Sequence, residues 1–79
     1  MSDIDLTTRA AGILDEHWAK HGFPSMGDIE TLHSRIFELA EDGSYHDAGD
    51  LVHDAAVDLG YKIELVDGRV ERLERPGTP

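Results

Sequence analysis

Cysteine is absent from this 79-residue chain, which excludes a disulfide framework, a thiolate metal site and a cysteine nucleophile. Long apolar runs are missing as well. The acidic start Met1-Ser2-Asp3-Ile4-Asp5 lacks the basic flank and the roughly 7–15 apolar residues of a secretory signal. Nothing approaches the ~20 apolar residues of a membrane span. Cations are scarce too: seven Lys and Arg stand against seventeen Asp and Glu, a formal net charge of −10. A surface of that sign repels phosphate backbones and anionic lipids and draws basic surfaces in. The expected setting is cytoplasmic, with no membrane contact.

Catalytic machinery is equally thin. There is no glycine-rich phosphate loop, and Ser2, Ser25, Ser34 and Ser44 lack the context of a nucleophile elbow. A domain of this length has little interior in which a general acid or base could be tuned. The chain is expected not to be an enzyme and to carry no cofactor.

What the sequence does have is regular apolar spacing. Leu6, Ala10, Ile13, Leu14 and Trp18 recur at i, i+3 and i+4, predicting a first helix from Asp3 or Asp5, either as N-cap, to about His21, closed by Gly22. Ser25 with Asp28 three residues on opens a second helix, with Ile29, Leu32, Ile36, Leu39 and Ala40 inward and Gly43 as its stop. Ser44 with Asp47 repeats that signal for a third helix, which buries Ala48, Leu51, Val52, Ala55 and Leu59 and ends at Gly60. From Tyr61 the period becomes two: Tyr61, Ile63 and Leu65 alternate with Lys62, Glu64 and Val66. Asp67-Gly68 signals a hairpin. A three-residue turn with a glycine bulge pairs Leu73 with Ile63 and so buries more than a plain two-residue turn. The expectation is an α+β fold, three helices and a C-terminal β-hairpin forming one domain over 1–74, followed by a short disordered tail over 75–79.

That element order, helix–helix–helix–hairpin, resembles a winged helix-turn-helix. The stretch Gly43 to Ala56 also resembles, loosely, the helix junction of ribbon–helix–helix antitoxins, although no basic strand precedes the first helix. Either likeness implies DNA binding, and charge argues against it. A recognition helix needs Lys, Arg, Asn or Gln, and the third helix has none of these. Arg69, Arg72 and Arg75 of the hairpin are offset by Glu64, Asp67, Glu71 and Glu74. No direct nucleic-acid contact is expected.

The third helix instead presents Asp47, Asp50, Asp54 and Asp58 at spacings of 3, 4 and 4, which share one side of a helix. Glu38, Glu41 and Asp42 extend the acidic region at the end of the second helix. From Asp28 to Asp58 there are nine carboxylates and a single cation, Arg35. Like charges at i, i+4 cost a helix roughly 0.2–0.5 kcal/mol per pair, a local conflict of the kind found at functional sites. The carboxylate repeat of about 5–6 Å per turn is of the order of the phosphate repeat in a nucleic-acid strand. The reading is a protein-binding module for a basic, nucleic-acid-handling partner. In size, acidity and lack of cysteine it resembles phage-encoded inhibitors of restriction and CRISPR systems.

An alternative is a structural or homodimerising protein whose acidity serves solubility. Phe37 and Val57 lie off the apolar faces, and Phe23 and Met26 fall in the connecting loop, so these four are the candidate apolar interface. A winged-helix transcription regulator is third. Among the five histidines, His17 and His21 stand one turn apart, a chelating spacing, but Lys20 is beside them and no third ligand adjoins. They are expected to flank Trp18 on a partly exposed face, and no metal is expected. His46 with Asp50, or His53 with Asp50 and Asp54, are weaker pairs.

Overall fold

A computed structural model describes the backbone of residues 3–77 and the side chains of residues 6–77. Its elements are α1 (Asp3–His21), α2 (Met26–Glu41), α3 (Ala48–Asp58), β1 (Lys62–Val66) and β2 (Arg69–Glu74). This is the α+β order expected, with the two strands forming one antiparallel ribbon.

The helices stop where the glycines stand. Gly22 takes φ +105 and its N–H donates to the Trp18 carbonyl at 2.7 Å, satisfying one of the last carbonyls of α1. At the end of α3, Gly60 N–H donates to Val57 and Tyr61 N–H to Ala56, both at 2.9 Å. That paired closure satisfies two orphan carbonyls and turns the chain into β1.

Helix starts match less completely. Ser25 caps α2 as expected, its Oγ accepting from the Asp28 N–H at 3.3 Å. The cap of α3 is Asp47, not Ser44. Asp47 Oδ1 accepts from the Gly49 N–H at 3.1 Å, while Ser44 donates its hydroxyl to Asp42 Oδ2 at 2.9 Å. Starting at Ala48 puts Ala48 and Gly49 against the core and leaves Tyr45 and His46 outside the helix. Met26 is the first residue of α2 rather than a loop residue. Asp5 lies inside α1, so it is not the cap; the residue before Asp3 falls outside the described residues.

One core serves all the elements. Ala10, Leu14 and Trp18 of α1 meet Leu32, Ile36 and Ala40 of α2 and Leu51, Val52, Ala55 and Ala56 of α3. The ribbon closes that core on one side, β2 against α1 and β1 against α3. Val70 supplies the buried ribbon residue, with Ile63, Leu65 and Leu73 packed beside it.

Hairpin register is as expected, Ile63 pairing with Leu73, but a different device sets it. Asp67 and Gly68 both have positive φ, 54 and 77, which is a two-residue turn of the type whose twist matches the strands. The irregularity lies further along: Glu64 pairs with Arg72 and Leu65 with Val70, so Glu71 is an extra residue in β2. This β-bulge brings Val70 and Leu73 to the same face, which a regular ladder would not. Beyond β2, Arg75 Nε lies 3.3 Å from Asp28 Oδ2, and Pro76 sits so close to Gly60 that an added Cβ would approach its Cβ to 3.0 Å. Thr78 and Pro79, the rest of the expected tail, lie outside the described residues.

Candidate functional site

The acidic surface is assembled from the end of α2, the connection over 42–47 and α3. Helical packing turns Leu51, Val52, Ala55 and Ala56 inward and so forces Asp50, Asp54 and Asp58 outward. All three are exposed, as are Asp47, Glu38, Glu41 and Asp42. Because Asp47 is a cap, only three aspartates belong to the helical row, and each step of four residues rotates it by about 40°.

These carboxylates are not equivalent. Asp47 is committed to the Gly49 N–H, and Asp42 takes the Ser44 hydroxyl. Asp54 accepts from the Tyr45 hydroxyl at 2.6 Å through Oδ2, while its Oδ1 lies 3.2 Å from His53 Nδ1. Those two hydrogen bonds, the tyrosine's first, hold the Asp54 carboxyl below its ordinary value of 3.8. The same bond, with burial and the Asp54 charge behind it, pushes Tyr45 up to about 12. Asp58 is met by Arg35, whose Nε lies 3.5 Å from Asp58 Oδ2 and whose Nη1 lies 3.6 Å from Glu38 Oε1. Asp50 and Glu41 have neither a hydrogen bond nor an ion pair among the described residues.

The ribbon does not neutralise this face. Arg69 reaches Glu16 at 3.8 Å, Arg72 pairs with Glu74 along its own strand, and Arg75 pairs with Asp28. The guanidinium seen to intervene among the described residues is Arg35, from α2.

Position in the helices decides part of the electrostatics. Asp50 stands in the first turn of α3, where the helix dipole favours an anion. Asp58 stands in the last turn, where the dipole disfavours one, and Arg35 offsets it there. The like-charge steps Asp50 to Asp54 and Asp54 to Asp58 persist.

The four apolar candidates are exposed but dispersed. Phe37 (57% exposed) stands at the rim of a hollow of about 350 Å³ between α1 and α2, floored by Ala11, Gly12 and Ile36. Phe23 lies 6.0 Å from Trp18, centroid to centroid, in a different hollow. Met26 opens α2 and Val57 stands on α3; neither lines the hollow beside Phe37. Among the described residues no group of three or more His, Asp or Glu is arranged to hold a metal, and no helix is long and apolar enough to cross a membrane.

Sequence spacing did not reveal Arg35 at Asp58, Tyr45 at Asp54, or the hollow beside Phe37. All three depend on how separate elements come together, and no local pattern encodes them. No family model, curated protein or solved structure matches the chain.

Proposed function

We propose that the protein is a non-enzymatic acidic binding module of the cytoplasm that engages, and masks, the basic surface of a nucleic-acid-handling protein. The observation that carries this reading is the exposure of Asp50, Asp54 and Asp58 on one helix, with Arg35 the sole Lys or Arg between Lys20 and Lys62. Glu41, Asp42 and Glu38 continue the same anionic surface. Long-range attraction to a basic partner would raise its rate of encounter. Direct contact with nucleic acid is no part of the proposal, because the same charges repel phosphate.

The test uses Asp50→Lys combined with Glu41→Lys. Neither carboxylate has an intramolecular partner among the described residues; the lysine at position 50 opposes the α3 dipole by at most about 1 kcal/mol, and far-UV circular dichroism of the variant checks the fold. The chain, immobilised, is offered a phosphocellulose-binding protein fraction from its source cells. Capture at about 50 mM salt, release by about 500 mM, competition by duplex DNA and loss in the double variant are the expected results. Capture by the variant equal to that of the parent chain overturns the proposal.

A second reading rests on Phe37. An aromatic ring beside a hollow floored by Ala11 and Gly12 suits a homodimer in which each copy's ring enters the other's hollow. Sedimentation velocity separates the two: such a dimer survives high salt and is lost in Phe37→Ser.

A further inference from the structure

We propose that His17 and His21 form a two-imidazole site for a divalent late first-row transition ion, copper(II) foremost, at the C-terminal end of α1. The two rings lie side by side with centroids 4.5 Å apart and planes tilted by 33°. His17 Nδ1 lies 3.2 Å from the Val70 carbonyl oxygen. A carbonyl oxygen only accepts, so Nδ1 carries the hydrogen and the neutral ring presents its Nε2 lone pair. Metal-bound imidazoles are held in this way: the remote N–H is given to a backbone carbonyl, which fixes tautomer and ring orientation. The anchor runs from α1 to β2, so tertiary structure, not the helix alone, sets the His17 ring. His21 brings the second imidazole from one turn further on, exposed to solvent.

The surroundings are electrically balanced. The hollow of about 280 Å³ against which both rings stand is also lined by Glu16, Lys20, Arg69 and Glu71. Lys20 and Arg69 are both directed at Glu16, at 3.9 and 3.8 Å. Lys20 therefore faces a carboxylate of its own helix. Among the described residues no third protein ligand is arranged beside the pair, so water completes the coordination and the site stays open. Two imidazole nitrogens suit zinc, nickel and copper rather than calcium or magnesium, and the order of divalent affinities places copper(II) first.

Trp18, the single tryptophan, borders a hollow that includes His17 and His21, and copper(II) quenches indole fluorescence at short range. Copper(II) chloride is titrated into the full chain at about pH 7.5, above the ordinary imidazole range. Saturable quenching at one ion per chain is expected, and zinc in excess should reverse it without quenching. His21→Ala, which breaks no hydrogen bond seen among the described residues, should raise the half-quenching concentration by about tenfold or more, the scale of a lost metal-site contact. His53→Ala should leave it unchanged. A His21→Ala titration that overlays the parent curve, or an equal loss in His53→Ala, overturns the site. Far-UV circular dichroism of each variant checks that α1 is intact.

Discussion

Tyr45 donates its hydroxyl to Asp54 Oδ2 at 2.6 Å, joining the loop before α3 to the middle of that helix. The bond lowers the carboxyl of Asp54 and raises the phenol of Tyr45 together. A tyrosine raised from 10.0 to about 12 contributes stability that is complete below pH 10. It loses that contribution as pH rises through the folded value, because the unfolded chain ionises first. For Asp54 the sign is opposite: its contribution is present above the ordinary carboxylate value and is lost as pH falls through the lowered one. Ultraviolet titration of the two tyrosines should place both steps above 10, since burial also raises Tyr61, with the Tyr45 step displaced to about 12. In Asp54→Ala one step should move back towards 10 while the other stays. Unchanged titration in that variant would show that the bond is not made in solution.

The choice of Asp47 over Ser44 as cap has a measurable cost. Asp47→Ala should destabilise the protein by about 1 kcal/mol, the usual worth of an N-cap. Ser44→Ala, which removes only an exposed bond to Asp42, should stay within roughly 0.5 kcal/mol, as surface substitutions do. Urea denaturation of both variants decides between the two caps. Equal losses would contradict the observed start of α3.

Removing Glu71 tests the bulge. Without it Arg72 follows Val70 directly, so β2 becomes a regular ladder in which Val70 and Leu73 stand two residues apart and keep to one face, opposite Leu65 and Ile63. Only an exposed residue is lost, so stability should stay within about 1 kcal/mol of the parent chain. Cross-strand proton contacts between Ile63 and Leu73, present in the parent chain, should persist in the spectrum of the deletion variant; their loss would show that Glu71 is not the extra residue.

The Arg35 side chain bridges Glu38 of α2 and Asp58 of α3. Arg35→Gln leaves Glu38 and Asp58 facing each other uncompensated. The electrostatic cost should be below about 1 kcal/mol at low salt, because the two carboxylates are largely exposed even though the Arg35 side chain is 34% exposed. Added salt should recover most of it by screening. Melting temperatures at low and high ionic strength, compared with the parent chain, give the result; a loss independent of salt would assign Arg35 a packing role instead.

Much of the fold was legible because its determinants are local. Gly22, Gly43 and Gly60 each take positive φ where an apolar stretch ends, and Ser25 stands one residue before α2. The start of α3 is ambiguous in the sequence because Ser44 and Asp47 are both competent caps, and burial of Ala48 and Gly49 decides between them. The Ile63–Leu73 pairing followed from burial alone, yet the bulge that produces it could be placed either in the turn or in the strand. Exposure of Asp50, Asp54 and Asp58 was implied by the apolar residues between them. Their partners were not, since Tyr45 and Arg35 reach them from a loop and from a neighbouring helix.

Arg35 also polarises the face it belongs to. By occupying Glu38 and Asp58 it quiets one end of α3, while Asp50 and Glu41, nearer the 42–47 connection, keep their full pull. An arriving cation therefore meets a gradient rather than a uniform wall. It would be steered to the connection first, and the orientation of any docked basic partner would be biased before short-range contacts form.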